Sequence, residues 1–268
     1  SVPEAGPPQL FHTTPKNKHD MTLPSFTLPL GSSVIPGRIG ETADVVFWDD
    51  FTASSAYTVA DVGLWTINKH ADTANDKGTV ILGASSRQNG CMSITGSALN
   101  GGACVALDNV VASPNFTVTY DSSGDTYFET RVRASTVAEQ IWMGFQSTSG
   151  ALLADPFSAA AADYILFKIV AADIKCQSSL ATSAGTLTDT GVDLVADTWT
   201  TLAINISQIK GVLTAQFYVD GDIKTELTAN LPAVGTKLAP MLAVAQTSTG
   251  ATVTADFDYC LVASKRVD

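Results

Sequence analysis

The chain has 268 residues, of which 45% are hydrophobic, 8% aromatic and only 15% charged, with a formal net charge of −11. An acidic surface disfavours nucleic-acid binding, which sets positive side chains against phosphate. No apolar run approaches the roughly 18 residues of a membrane helix. The opening SVPEAGPPQL has neither the basic nor the apolar segment of an export signal, so neither membrane nor export is expected.

Residues 1–43 form a first region, distinct from a second that runs over 44–268. Seven of the eleven prolines fall in the first: Pro3, Pro7, Pro8, Pro15, Pro24, Pro29 and Pro36. Proline locks φ and removes a donor, so this stretch is expected to be an extended arm. Its charges cancel, Glu4, Asp20 and Glu41 against Lys16, Lys18 and Arg38, which leaves the acidic excess to the body. Phe11, Leu23, Phe26, Leu28 and Ile35 stand between the prolines as apolar anchors. A solvated linker has no use for such residues. The arm is therefore expected to lie along a neighbouring subunit, as in a homo-oligomer or larger assembly.

The body reads as strands. Candidates in chain order include Val45–Phe51, Gly63–Lys69, Cys91–Thr95, Thr126–Ala134, Gln140–Gln146 and Tyr164–Val170, with one helical piece over Asp155–Asp163. The clearest stretch is Trp199–Leu227. Leu202, Ile204 and Ile206 alternate with Ala203 and Asn205; after Lys210-Gly211, Leu213, Ala215, Phe217 and Val219 alternate with Thr214, Gln216 and Tyr218. Period-two alternation marks half-buried strands, and Asp220-Gly221 is a strong two-residue hairpin signal. The last strand expected is Val253–Ala263. The predicted fold class is all-β, an antiparallel sandwich behind the proline-rich arm.

Chemistry-bearing patterns are sparse. The five glutamates are Glu4, Glu41, Glu129, Glu139 and Glu226, and no string sets several acids on one strand face, as a carboxylate-pair glycosidase needs. The histidines, His12, His19 and His70, accompany no G-x-S-x-G elbow. Asn100-Gly101-Gly102 is a turn without the lysine of a phosphate loop. Cys91, Cys104, Cys176 and Cys260 lack C-x-x-C spacing and sit in apolar runs, which reads as buried thiols. Cys91 and Cys104 also flank the turn-rich Gly96–Gly102 and could face each other across a hairpin.

Four segments resemble the concanavalin A-like lectin/glucanase superfamily. They are FWDDFTASSAYTVADVGLWTI at Phe47–Ile67, YFETRVRAS at Tyr127–Ser135, Trp199 followed by FYVDG at Phe217–Gly221, and FDYCLVASK at Phe257–Lys265. The resemblance spans 44–265, omits the arm, and implies a jelly-roll β-sandwich. It also implies neighbouring first and last strands that in several relatives hold a structural Ca²⁺, with Asp50 and Asp258 as the matching positions. Sugar binding would use Trp142, Tyr127 or Tyr164 as platforms on the concave face and Arg131 and Arg133 as donors. Trp142 and Phe145, in the apolar IWMGF, are expected to pack the core instead. The E-x-D-x-(x)-E string of the glucanases is missing.

Sandwiches of this superfamily also occur as phage accessory proteins. With the arm and the missing acids, the resemblance leads to the expectation of a non-enzymatic virion structural protein. This would be a capsid decoration (cement) protein, assembled in the host cytoplasm and gripping the major capsid protein or other virion subunits through its arm. A glycan-binding, lectin-like module is the alternative, and a hydrolase with an atypical site the third class. No cofactor beyond Ca²⁺ is expected.

Overall fold

The structure, a computed structural model, describes residues 45–49, 51, 55–57, 61–62, 65–70, 78–82, 90–96, 102–106, 118–119, 126–135, 140–147, 163–180, 183–245 and 252–264. The arm with its anchors Phe11, Leu23, Phe26, Leu28 and Ile35, the residue Asp50, and the expected helical piece before Asp163 lie outside these residues.

The described elements are all strands. In chain order they begin β1 Val45–Asp49, β2 Ser55–Tyr57, β3 Asp61–Val62, β4 Trp65–His70, β5 Thr79–Leu82, β6 Met92–Gly96 and β7 Gly102–Ala106. The middle of the chain gives β8 Val118–Thr119, β9 Thr126–Ala134, β10 Gln140–Ser147, β11 Tyr164–Val170, β12 Asp173–Leu180 and β13 Ser183–Ala184. It closes with β14 Thr188–Asp193, β15 Thr200–Ile209, β16 Val212–Val219, β17 Asp222–Leu227, β18 Lys237–Ala245 and β19 Val253–Ser264.

Two antiparallel sheets form a jelly-roll sandwich. The first runs β17-β16-β15-β9-β19-β6-β5-β2, with β1 also on β19; the second runs β13-β12-β11-β10-β18-β7-β4-β3, with β14 on β12 and β8 on β18. The first and last strands are neighbours, from Val45 opposite Ser264 to Asp49 opposite Cys260. Alternation fixes what each strand contributes to the core. Ile141, Met143 and Phe145 on β10, and Ile165, Phe167 and Ile169 on β11, point between the sheets, as do Phe128, Ile204 and Phe217 from the first. Edge-on ring pairs tie the layers together: Phe128 with Phe145 at 5.6 Å and Phe167 with Phe217 at 5.0 Å between centroids. Such pairs add about 0.5–1.5 kcal/mol beyond the area they bury.

The meander β15-β16-β17 has the alternation and turns expected of it. Lys210-Gly211 and Asp220-Gly221 both take positive φ at both residues, and the Asp220 carboxylate accepts the Thr201 amide at 2.8 Å. The β11-β12 hairpin uses the same conformation without glycine, at Ala171 (φ 50°) and Ala172 (φ 79°), which sequence gives no means of seeing.

Two expectations are corrected. Strands β6 and β7 belong to opposite sheets, so the segment between Cys91 and Cys104 is not a hairpin, and Cys91, Cys176 and Cys260 are buried free thiols. Burial pushes the Cys176 thiol up to about 12, which leaves it unreactive. Trp142 is buried, yet it lies on the outer side of β10, because Ile141 and Met143 take the core positions on either side.

Candidate functional site

Strands β10, β11 and β12 lie side by side in the second sheet, and the even positions of β10 and β11 and the odd positions of β12 face away from the core. On β11 these are Tyr164, Leu166 and Lys168, in a segment, YILFKIV, that is otherwise apolar. Register brings Trp142 on β10 and Lys175 on β12 opposite Lys168, and Gln146 and Ser179 opposite Tyr164. Gly144 separates Trp142 from Gln146; its φ of 139° and a Cβ position only 2.5 Å from the Ile165 carbonyl oxygen exclude any larger residue.

Lys168 is the centre of this face, with 6% of its surface exposed. Its ammonium donates to the Gln177 Oε1 at 2.6 Å and to the Tyr164 hydroxyl at 3.3 Å, while the Tyr164 hydroxyl donates to the same Gln177 oxygen at 2.9 Å. Gln177 is held in place by donating its Nε2 to the Gly185 carbonyl at 2.7 Å. The Lys168 Nζ also lies 3.9 Å above the Trp142 ring and 4.6 Å from the Tyr164 ring. These neighbours are neutral dipoles and π faces. Burial disfavours the charged amine and lowers its pKa from 10.5 to about 8. Burial raises the pKa of the Tyr164 phenol, which therefore keeps its proton at any physiological pH. An amine that exchanges a proton near neutrality beside a protonated phenol is an acid–base pair.

Two described carboxylates sit at the sheet edge, on and beside β12. Asp173 pairs with Lys175 at 2.9 Å, and Asp189 accepts the Gly191 amide at 2.8 Å. Among the described residues, two-carboxylate hydrolysis finds no facing pair here.

The outer face of the first sheet is built differently. Glu129 on β9 is 1% exposed and accepts hydrogen bonds from the phenols of Tyr127 and Tyr259, the latter at 2.6 Å. Burial raises the Glu129 pKa against the lowering effect of both phenols, and raises that of Tyr127 as well. Arg133 pairs with Asp256 at 2.9 Å, Arg131 reaches Asp258 at 3.4 Å, and both guanidiniums lie against the Trp199 ring.

The residues expected to bind sugar are thereby divided. Trp142 and Tyr164 are on the second sheet; Tyr127, Arg131 and Arg133 are on the first, separated by the core, and cannot form one platform. For the expected Ca²⁺ position, Asp258 is engaged by Arg131, and Asp49 accepts the Trp65 indole N–H at 2.7 Å and the Phe51 amide at 2.9 Å. Among the described residues no group of three or more His, Cys, Asp or Glu side chains converges on a metal-sized site. Sequence reasoning missed Lys168, Gln177 and Gln146. The available signal was a lysine placed four residues after a tyrosine, on the same strand face, inside an apolar strand.

With its two antiparallel sheets in this strand order, the body has the jelly-roll sandwich fold seen in concanavalin A-like glucanases. No family model matches the sequence, and no curated protein matches it. Solved structures do. The laminarinase catalytic domain from Thermotoga maritima MSB8 superposes with a TM-score of 0.53 at 13% identity, covering 85% of this chain and 100% of that one. A prokaryotic β-1,3-1,4-glucanase (lichenase) derived from a mouse hindgut metagenome gives 0.51 at 11%, covering 81% and 98%. The endo-1,3-β-glucanase from Streptomyces sioyaensis gives 0.50 at 13%, covering 82% and 96%.

These likenesses overturn the expectation of a non-enzymatic protein, whether a capsid decoration subunit or a lectin-like module. The three structures are named as a laminarinase, a lichenase and an endo-1,3-β-glucanase, all enzymes.

Proposed function

We propose that the chain is a carbohydrate-active enzyme whose reaction centre is Lys168 on the outer face of the second sheet. The observation that carries this reading is a buried amine near 8, bonded to Tyr164 and Gln177 with no carboxylate among its described partners. The neighbours of like fold, named laminarinase, lichenase and endo-1,3-β-glucanase, support a polysaccharide as substrate. The side chains favour a different cleavage from carboxylate-pair hydrolysis, namely β-elimination from an acidic polysaccharide.

In that reaction neutral Lys168 takes the proton on the carbon next to the uronate carboxylate. The C–H electrons form a C4–C5 double bond, the C4–O bond breaks, and the departing oxygen takes the Tyr164 phenolic proton. The products are a chain with a free hydroxyl and one ending in an unsaturated uronate. The ammonium and phenolate left behind lie 3.3 Å apart, and transfer of the proton between them restores the site. Because base and acid share one face, proton and leaving group depart from the same side of the ring. The net charge of −11 opposes a polyanion at long range, and Lys175, opposite Lys168 on the neighbouring strand, is the cation that attracts it locally. Enclosure, which depresses the amine, also means that substrate reaches it only as the face opens.

The test is cleavage of polyglucuronate and of β-1,3-glucan, read as new reducing ends and as ultraviolet absorbance of the unsaturated product. Polyglucuronate should yield both signals, with a rate that rises toward pH 8 as the amine loses its proton. Lys168→Gln should lower the rate by about 10²–10⁴-fold. Cleavage undiminished by Lys168→Gln, or no cleavage of either polymer, overturns the reading.

A further inference from the structure

Gln146 sits at the Tyr164 end of the same face. Its neighbours on β10, Phe145 and Met143, fill core positions, so its side chain emerges beside Tyr164, its register partner on β11. It is 1% exposed, and its Oε1 has no hydrogen-bond donor among the described residues. A buried amide oxygen without a donor is uncommon because it loses water and gains nothing in return. Gln177, one strand further on, shows what the fold does with a glutamine it needs for structure: both ends of its amide are bonded.

We propose that Gln146 is a specificity-determining residue that accepts a hydrogen bond from a free hydroxyl of the sugar ring lying beside Tyr164. This rests on the reading of the Lys168 face as the reaction centre. A hydroxyl satisfies the orphaned oxygen and can in turn approach the Tyr164 phenol. A carboxylate or an O-methyl group at that position offers no donor, and a carboxylate adds repulsion. The site therefore takes polysaccharides whose ring presents an unsubstituted hydroxyl there, and it positions the acidic group away from Gln146, toward Lys168.

The experiment compares kcat/KM on polyglucuronate and on O-methylated polyglucuronate for wild type, Gln146→Leu and Lys168→Gln, each shown to unfold cooperatively. Wild type should prefer the unmethylated polymer by roughly a hundredfold or more, because a site built for a hydroxyl penalises its absence strongly. Gln146→Leu should raise KM on the unmethylated polymer and reduce that preference at least tenfold while Lys168→Gln remains inactive. A Gln146→Leu enzyme that keeps the wild-type preference overturns the inference while leaving the Lys168 centre standing. Full activity in Lys168→Gln, or an inactive wild type, overturns both.

Discussion

Charge is handled in two ways on the two outer faces. On the first sheet Arg133 meets Asp256, Arg131 meets Asp258, and Glu129 is capped by two phenols. On the second, Lys168 is more enclosed than either arginine and meets an amide oxygen, a hydroxyl and two aromatic rings. Ion pairing satisfies a fold; an enclosed cation without a counter-ion works against it. The chain clearly has the means to pair a β-strand cation, since it does so twice on β9. A buried lysine on β11 whose pKa is lowered to about 8 is what the proposed proton transfer would draw on.

The comparison breaks most visibly at Lys168. A base whose folded pKa lies below its unfolded value penalises the native state while both are protonated, and the penalty lifts as pH rises through the window between them. Stability should therefore increase from pH 8 to 10.5 by about 3 kcal/mol through this residue. Lys168→Met should not show the rise, and the difference between the two proteins in urea unfolding cancels the other groups that titrate there. Equal slopes would mean that Lys168 is paired after all.

Glu129 gives the opposite sign on the other face, and a smaller effect because two phenols offset its burial. Its folded pKa lies above the unfolded value of 4.5, so its contribution to stability is present below 4.5 and is lost as pH rises through the folded value. Glu129→Gln should match wild type in acid and equal or exceed it at pH 7. Urea midpoints at the two pH values check this, and a variant that weakens only at pH 7 would show that the phenols outweigh burial.

How far the sequence carried depends on whether a property is local. The Asp220-Gly221 turn and the β15-β16 alternation were legible because turn chemistry and period two reside in adjacent residues. So were the Phe217–Gly221 and Phe257–Ser264 strands that mark the superfamily. Trp142 was legible as buried but not as outward-facing, because IWMGF is apolar at every position and hides its own phase. Tyr127 and Tyr164 looked like one platform because a strand pattern does not say which sheet a strand joins. Lys168, Gln177 and Gln146 come together only through the β10-β11-β12 register, and the depression of the amine depends on enclosure that no spacing encodes. Reading function from missing acids alone therefore led to the expectation of a structural protein and passed over the buried amine of Lys168.

The finest distinction lies within the first face itself. Asp256 is 3% exposed and bonds both Ser93, at 2.5 Å, and Arg133, at 2.9 Å. Asp258, within the irregularity in β19 between Phe257 and Cys260, reaches Arg131 at only 3.4 Å, with the Asp258 and Arg131 side chains 24% and 31% exposed. Removing the charge of Asp256 leaves a guanidinium and a hydroxyl poorly matched in a buried setting, so Asp256→Asn should cost about 2 kcal/mol. Asp258→Asn breaks a long, solvent-screened pair and should cost about 0.5 kcal/mol or less, a loss that fades in high salt. Urea unfolding of both variants at low and high salt separates the two. Equal costs would show that burial does not grade the ion pairs of this face, and the contrast with the unpaired lysine opposite would lose its physical basis.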